Sequence, residues 1–344
     1  MITRIEIDGF KSFVDFELEL KPFLVLMGGN ASGKSNLIDA LTLLADSIRF
    51  GEMLDAGLVA NRGIPAEFFH QYETGARADS LRIAASTAES PSGAMTTLTA
   101  SLEANGQVLR TEVEIGLARG MRPSWVTLGV VPTAMRGRGL FTDRRPLQPD
   151  GGNLASVLGR IADAGEDSWQ WLLADAVALL PELRDIRVEQ SGDFWDLSFN
   201  SRGTGWTSVR TASDGTLRVL AILAAAHDPN HGALLVVDEV ENGLHPSRLT
   251  ELIRRLRSIT EASSGDGQSK QMILTTHSPV VLSALYPEHE DEVVFLSTAY
   301  GPRLVRGDKV GSVRTVALSV GGEGLPRAEV RRLLSTVHQM EPLS

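Results

Sequence analysis

Cysteine is absent from this chain of 344 residues. Its absence excludes disulfide bonds, thiolate zinc sites and cysteine-held iron–sulfur clusters, and it is compatible with a reducing compartment. Long hydrophobic runs are absent too, because the longest, Val219 to Ala226, is far shorter than the roughly 20 residues of a membrane-spanning helix. Residues 1–8 alternate like a strand rather than a signal segment. We therefore expect a cytoplasmic protein without a membrane partner.

Positive charge is also scarce, since 33 Lys and Arg face 43 Asp and Glu, for a formal net charge of −10. Such a chain has no overall basic field that would attract nucleic acid or an anionic membrane. One Gly/Pro-rich segment is an exception, with Asp143 as its single acidic residue. Two interpretations stay open for it, a solvated loop or a contact with phosphates of DNA or with a partner. Its arginines are Arg119, Arg122, Arg136, Arg138, Arg144 and Arg145.

The strongest motif is residues 28–35, which fit the phosphate-loop pattern G-x-x-x-x-G-K-[ST] between the apolar run Phe23–Met27 and a segment with helical spacing. Its glycines let backbone N–H groups turn towards phosphate oxygens, and the following helix dipole favours the same anion. Lys34 is expected to neutralise the β- and γ-phosphates of a nucleotide, and the Ser35 hydroxyl to ligate Mg²⁺. The predicted nucleotide-binding residues are Gly28, Asn30, Ala31, Ser32, Gly33, Lys34, Ser35 and Asn36.

An acidic pair, Asp238 and Glu239, ends the continuous apolar run of residues 233–237, which predicts a buried parallel strand. A nucleoside triphosphatase needs such a pair downstream of its phosphate loop. Asp238 can hold the Mg²⁺ shell through water, and Glu239 can orient or deprotonate the attacking water. His277, at the end of the next predicted strand, could contact the γ-phosphate, although a lone histidine is equally compatible with a structural role.

The remaining patterns predict an α/β fold with a central, mostly parallel sheet. Period-two segments around Ile5 and Leu18 predict a β-hairpin, and helical spacing predicts a small helical lobe over residues 154–180 and a terminal helix over residues 330–337. Four β-rich pieces predict an antiparallel β subdomain after the first helix: Ser80–Ala85, Met95–Ala100, Val108–Ile115 and Trp125–Val131.

In order and spacing, four motifs resemble the ABC-type ATPase heads of the RecF/SMC/OLD group, which are P-loop NTPases. They are residues 28–35, Ser213-Asp214-Gly215-Thr216, residues 234–246 with Asp238 and Glu239, and Thr275-Thr276-His277. The resemblance implies a head-to-tail homodimer, or a larger assembly, that sandwiches two ATP molecules. It makes Ser213 and Gly215 signature residues acting on the partner's nucleotide, Glu239 the catalytic base and His277 the switch histidine. It also places Asn242 and His245 in the dimer-facing loop.

The chain departs from the family pattern in ways that favour some members of the group over others. The signature reads Ser-Asp-Gly-Thr instead of the Ser-Gly-Gly-Gln of transporters, which favours OLD/RecF-like AAA ATPases. The glutamine that ligates Mg²⁺ in the family is hard to identify, and Gln148 is the candidate. No sustained heptad lies between Asp150 and Ser213, so SMC-type arms are not expected, and the residues after His277 are too few for a TOPRIM domain.

These observations predict three segments: an N-terminal ATPase lobe over residues 1–148, a short helical lobe over 149–212 and a C-terminal ATPase lobe over 213–344. The expected function is Mg²⁺-dependent conversion of ATP and water to ADP and phosphate. By resemblance, ATP-driven dimerisation would control a separately encoded effector such as a nuclease, in phage defence or a mobile element. A RecF-like DNA-repair ATPase is the alternative, and a transporter subunit is a weaker one because its signature is missing.

Overall fold

The computed structural model describes residues 1–50, 65–87, 95–102, 109–114, 125–229, 234–263, 270–305, 308–319 and 330. The chain forms two compact units, the first made of residues 1–123 and 285–344 and the second of residues 124–284. The three functional segments drawn from the sequence stay a prediction. Arg119, Arg122 and most of the expected terminal helix lie outside the described residues. Among those described, no helix has the length and apolar content that crossing a membrane requires.

The first unit contains two sheets and one long helix. Its elements are β1 Ile2–Asp8, β2 Phe16–Glu19, β3 Phe23–Met27, α1 Lys34–Phe50, β4 Ser80–Thr87, β5 Met95–Leu102 and β6 Leu109–Glu114, with β14 Val293–Val305 and β15 Asp308–Ser319 from later in the chain. One sheet has the order β2-β1-β4-β5-β6 and is antiparallel throughout. The predicted β1–β2 hairpin and three strands of the predicted antiparallel β subdomain are therefore confirmed.

The second sheet of this unit places the phosphate loop. Strand β3 pairs in parallel with β14, and β14 pairs antiparallel with β15. All five residues of β3 are buried, as a strand covered on both faces should be. Helix α1 follows the loop and buries Leu37, Ala40, Leu41 and Leu44, which share one face because they recur at helical spacing.

The second unit contains a parallel three-stranded sheet, a small antiparallel sheet and five helices among its described residues. Its elements are β7 Trp125–Leu128, β8 Gly139–Leu140, α2 Leu154–Ala164, α3 Glu166–Leu179, β9 Leu183–Ser191, β10 Phe194–Ser201, β11 Gly205–Ser208, α4 Asp214–His227, β12 Leu234–Val237, α5 Pro246–Ser263, β13 Gln271–Thr276 and α6 Pro279–Leu285. Helix α4 is buried from Thr216 to Ala226, which explains its nearly uninterrupted apolar sequence.

Strand β12 lies between β13 and β7 and is parallel to both. The sequence-based prediction that residues 125–131 form the fourth strand of the antiparallel β subdomain is therefore wrong. An alternating pattern identifies a strand with one covered face, but it does not identify the partner or its direction. The parallel pairing of β7 with β12 matters for function, because β7 ends beside the acidic pair that follows β12.

Helices α2 and α3 confirm the predicted helical lobe over residues 154–180, and an antiparallel sheet of β8 to β11 accompanies them. Strand β10 pairs with β9 along its whole length and, at its two ends, with β8 and β11. Helix α2 packs against this sheet, and a Cβ atom built on Gly159 would lie 2.5 Å from the ring of Trp195. Only glycine allows so close an approach of helix and strand.

Candidate functional site

The phosphate loop lies in the first unit, between β3 and α1, as the sequence predicts. Lys34 is 8% exposed, and its Nζ donates to the carbonyl oxygens of Gly28 at 2.6 Å and Gly29 at 2.8 Å. The ammonium group is thereby held against the loop itself. Asn30, Ala31 and Ser35 are exposed, so the tip of the loop and the first hydroxyl of α1 are open to a ligand.

Two glycines of the loop are required by its packing. Gly33 has a φ of +102°, and a Cβ atom there would lie 2.3 Å from Thr315 Oγ1. A Cβ atom on Gly28 would lie 2.6 Å from the carbonyl oxygen of Leu296. Both neighbours come from β14 and β15, far along the chain, and local sequence analysis did not identify them as supports of the loop.

The loop is also tied to the segment between β1 and β2. Thr315 Oγ1 lies 2.8 Å from Ser12 Oγ and 3.2 Å from the carbonyl oxygen of Ser32. Asn36 Nδ2 donates to the same Ser12 Oγ at 2.9 Å. The Asn36 side chain, predicted to bind nucleotide, is thus engaged in supporting the start of α1.

The acidic pair lies in the second unit, at the carboxyl end of β12. Asp238 N donates to the carbonyl of Leu128 on β7 at 2.9 Å, and Glu239 N donates to Thr275 Oγ1 on β13 at 2.9 Å. Thr275 Oγ1 in turn donates to Asp238 Oδ1 at 2.5 Å. Both neighbouring strands therefore fix the backbone of the pair.

Glu239 has an exposed side chain and a φ of +47°, a left-handed conformation that is uncommon for residues other than glycine. Asn242 Nδ2 donates to Glu239 Oε2, and Asn242 N donates to the Glu239 carbonyl at 3.0 Å. Backbone strain of this kind is often found at functional sites. The carboxylate is held in one direction but remains accessible to water.

His277 follows β13 and has a half-exposed side chain. Its backbone N–H donates to Glu241 Oε1 at 2.8 Å, and its Nδ1 lies 2.8 Å from the same oxygen. The Glu241 side chain is only 10% exposed. Glu241 therefore orients the imidazole through Nδ1 and leaves Nε2 for a ligand, a role that sequence analysis missed.

Ser213 caps α4, since its Oγ accepts from Thr216 N at 3.1 Å. A Cβ atom on Gly215 would lie 2.7 Å from the carbonyl oxygen of Gly243, so glycine is needed for this close packing. Further along the helix, Arg218 Nη2 donates to the carbonyls of Asp238 at 2.7 Å and Glu239 at 2.6 Å.

Arg218 is 8% exposed, and this burial lowers its pKa. The carboxylates of Glu241, Glu239 and Asp238 act in the opposite direction by favouring the charged form. Arginine stays protonated in proteins, so Arg218 is a buried cation in contact with the backbone of the acidic pair. Sequence analysis did not identify it.

The described part of the arginine segment is largely paired. Arg136 Nη2 donates to the Ala212 carbonyl and to Asp214 Oδ1, both at 2.8 Å. Arg138 forms a bidentate pair with Asp196 at 2.6 and 2.7 Å. Asp143 is thus not the only acidic partner, because Asp196 and Asp214 arrive from elements distant in sequence.

Arg145 donates hydrogen bonds to the Asp143 carboxylate. With the Gln148 amide oriented so that its oxygen faces Arg145, this oxygen accepts from Arg145 Nη1 at 3.0 Å and Nη2 at 3.2 Å. The hydrogen bonds to Arg145 lower the pKa of Asp143, against the effect of burial. The segment carrying Gln148 runs beside the end of β7, where Gly129 N donates to the Pro149 carbonyl at 3.0 Å. Gln148 as a magnesium ligand stays a prediction.

The residues present fit Mg²⁺ and a nucleotide. The described residues contain no cluster of three or more His, Asp or Glu suited to a metal ion. A Mg²⁺ ion that keeps several waters and binds substrate phosphates needs only one or two protein oxygens. The exposed Ser35 hydroxyl and the Asp238 carboxylate are oxygen donors of that kind, and the open, lysine-bearing loop suits phosphate.

Two family models match the chain. Residues 144–283 match a family described as "AAA domain, putative AbiEii toxin, Type IV TA system", and residues 1–90 match one described as "AAA ATPase domain". No curated protein matches the sequence significantly.

Solved SMC head domains share the fold. An SMC head bound to the C-winged helix domain of ScpA covers 93% of this chain and 98% of its own, with 14% identity and a TM-score of 0.62. An SMC head with an extended coiled coil, bound to the C-terminal domain of ScpA derived from Pyrococcus furiosus, covers 98% and 99%, with 13% identity and a TM-score of 0.57. The SMC head domain from Thermotoga maritima covers 93% and 99%, with 16% identity and a TM-score of 0.50. Residues 1–90 and 144–283 are thus similar to AAA ATPase domains, and the chain has the fold of SMC heads.

Proposed function

We propose that this protein binds Mg-ATP and hydrolyses it to ADP and phosphate. The observation that carries the proposal is Glu239, an exposed carboxylate in a left-handed backbone conformation that Thr275, Asn242 and Arg218 hold by hydrogen bonds. A residue that only ended a strand would not need such support. Glu239 takes a proton from the attacking water as the water oxygen bonds to the γ-phosphorus, and the bond to ADP breaks.

The other residues bind and orient. Lys34 neutralises β- and γ-phosphate oxygens, which requires its ammonium to leave the carbonyls of Gly28 and Gly29. Ser35 and Asp238 would hold Mg²⁺, which would neutralise charge on the phosphates. His277, oriented by Glu241, directs Nε2 to the γ-phosphate. Gln148 completes this set as a magnesium ligand.

We infer a head-to-tail homodimer around two ATP molecules. Support comes from the exposed Ser213 at the N-terminus of α4, where backbone N–H groups and the helix dipole favour an anion. Ser213 and Gly215 then contact the partner's γ-phosphate. Ser213→Arg is expected to retain ATP binding while abolishing hydrolysis, because the defect lies across the interface.

We propose that dimerisation controls a separately encoded effector, such as a nuclease, in bacterial defence against phage or in a mobile element. The family description that names a putative AbiEii toxin and a toxin–antitoxin system supports this role. SMC heads bound to ScpA domains illustrate that the same fold engages separate proteins. Direct DNA binding through the arginine segment has less support, since Arg136 and Arg138 are paired with carboxylates.

The test compares steady-state ATPase rates of the wild type and Glu239→Gln, with and without linear duplex DNA, at low and moderate salt. Glu239→Gln should bind Mg-ATP, stop turning over and accumulate as a dimer in light scattering. Glu288→Gln, which changes an exposed glutamate outside the site, serves as the matched control. Wild-type turnover by Glu239→Gln would place the base elsewhere, and strong salt-sensitive stimulation by DNA would favour the DNA-repair alternative.

A further inference from the structure

Helix α4 carries two sets of contacts within its first two turns. Ser213, at the N-cap, is exposed, whereas Arg218 is buried against the acidic pair. Gly215, between them, packs against the carbonyl of Gly243 in the loop after that pair. Because a helix is stiff over this length, a displacement at Ser213 moves Arg218 as well.

Arg218 holds the backbone at the catalytic carboxylate. One nitrogen, Nη2, donates to the carbonyl oxygens of both Asp238 and Glu239. Thr275 holds the same peptide from the opposite direction by accepting from Glu239 N. Besides the hydrogen bonds from Asn242, the left-handed conformation of Glu239 is thus held by Thr275 of β13 and Arg218 of α4.

Glu241, two residues after Glu239, carries a further carboxylate that acts electrostatically on the same guanidinium. In the described part of the chain, Arg218 Nε and Glu241 Oε2 are buried and lack hydrogen-bond partners. Glu241 also makes the largest contribution among the carboxylates that raise the pKa of Arg218. Buried polar groups gain free energy by pairing, so a shift of α4 would let Arg218 exchange the two carbonyls for Glu241.

We propose that Arg218 is a positioning residue that couples Ser213 to the catalytic carboxylate of Glu239 in the same subunit. The inference rests on the proposed ATPase function and its sandwich dimer. When Ser213 engages the partner's nucleotide, α4 is fixed and Arg218 holds Glu239 in place. When Ser213 is disengaged, Glu241 competes for Arg218 and Glu239 loses its orientation. Hydrolysis in each subunit thereby responds to the nucleotide bound by the other.

The test is a double-mutant cycle in the full-length protein with Ser213→Ala, Arg218→Lys and the double variant. Lysine keeps the charge but lacks the planar guanidinium, so Arg218→Lys should lower kcat at least about tenfold while KM for ATP stays within about twofold. The double variant should be no slower than the slower single variant, because both changes break one connection. Losses that multiply, or an unchanged kcat in Arg218→Lys, would contradict the coupling.

Arg210→Lys is the matched control, since Arg210 is exposed and lies just before the same helix. A second measurement does not depend on the folding of an Arg218 variant. Amide hydrogen exchange of residues 238–242 should slow when ATP is added to the wild type and should not slow in Ser213→Arg. Equal protection in both proteins overturns the coupling.

Failure of the inference is distinguishable from failure of the proposed function. If the wild type does not hydrolyse ATP, or if Glu239→Gln hydrolyses it normally, the ATPase mechanism itself is wrong. If the wild type is active and Glu239→Gln is inactive, but the Ser213 and Arg218 losses multiply, only the coupling is wrong.

Discussion

Glu241 Oε1 accepts the backbone N–H of His277 and lies 2.8 Å from Nδ1 of the same residue. This double contact fixes both the end of β13 and the ring that follows it. With Nδ1–H directed at the carboxylate, Nε2 is an acceptor in the neutral imidazole and a donor in the protonated ring. In the proposed mechanism, Nε2 is the ring atom that faces the γ-phosphate.

Glu241→Ala should therefore lower kcat by roughly tenfold to a hundredfold, because His277 loses its orientation as a transition-state donor. Combining it with His277→Ala should add little to the loss from His277→Ala alone, since the two residues act as one unit. Steady-state kinetics of the three variants, with Glu288→Ala as the control, give the comparison. Losses that multiply would mean that Glu241 acts independently of His277.

Gly33→Ala should destabilise the phosphate loop and weaken ATP binding. The new methyl group would overlap Thr315 Oγ1, and the φ of +102° adds strain of about 1–3 kcal/mol. Gly29→Ala is the control within the same loop, because a Cβ atom there has no neighbour within 4 Å, so it should leave the melting temperature unchanged. Thermal unfolding and ATP titration measure both effects.

Adding Thr315→Gly separates the two causes in Gly33→Ala. Removing the threonine side chain relieves the overlap, leaves the backbone strain and also loses the Thr315 hydrogen bonds, so the comparison needs the Thr315→Gly single variant. Gly33→Ala should cost less stability in the Thr315→Gly background than in the wild type. An equal cost in both backgrounds would mean that φ alone decides the requirement for glycine at this position.

Gly159→Ala should cost about 1–3 kcal/mol of unfolding free energy, as overpacking in a core usually does. A Cβ atom there would enter the ring of Trp195 at 2.5 Å and push α2 away from β10. Gly129→Ala, where a Cβ atom meets nothing within 4 Å, is the control. Equal urea midpoints for the two variants would contradict the close packing of α2 on the sheet.

Local sequence patterns predict the parts of the site whose geometry depends on residues that are close together in the sequence. The buried strand β3 and the start of α1 fix the phosphate loop, and Ser213 caps α4 because its hydroxyl reaches an N–H three residues later. Asp238 and Glu239 are recognisable because a fully apolar strand precedes them. Each of these features is encoded within about one helical turn or one strand.

Contacts between segments that are distant in the sequence leave no such local pattern. Thr315 lies against Gly33 although 282 residues separate them in the numbering, and Arg218 reaches the Glu239 carbonyl from another element. A single sequence gives no signal for such pairs. The parallel pairing of β7 with β12 is of the same kind, because alternation defines a strand without defining its neighbour.

Arg136 distinguishes the two interpretations of the arginine segment. It binds the Ala212 carbonyl and Asp214 at the start of α4, so its guanidinium fixes the end of the helix that carries Ser213. Arg136→Ala should consequently lower kcat, while any affinity for duplex DNA and its dependence on salt should stay as in the wild type.

Arg144→Ala is the matched control, since Arg144 is exposed and lies over the Phe141 ring without an ion pair among the described residues. If Arg136 instead contacts DNA phosphates, its removal reduces the slope of log affinity against log salt by about one. Fluorescence anisotropy with a labelled duplex at three salt concentrations, measured beside the ATPase rate, separates these outcomes. If Arg136 only fixes α4, its removal changes the ATPase rate alone. If Arg136 contacts a phosphate, its removal changes the slope of log affinity against log salt.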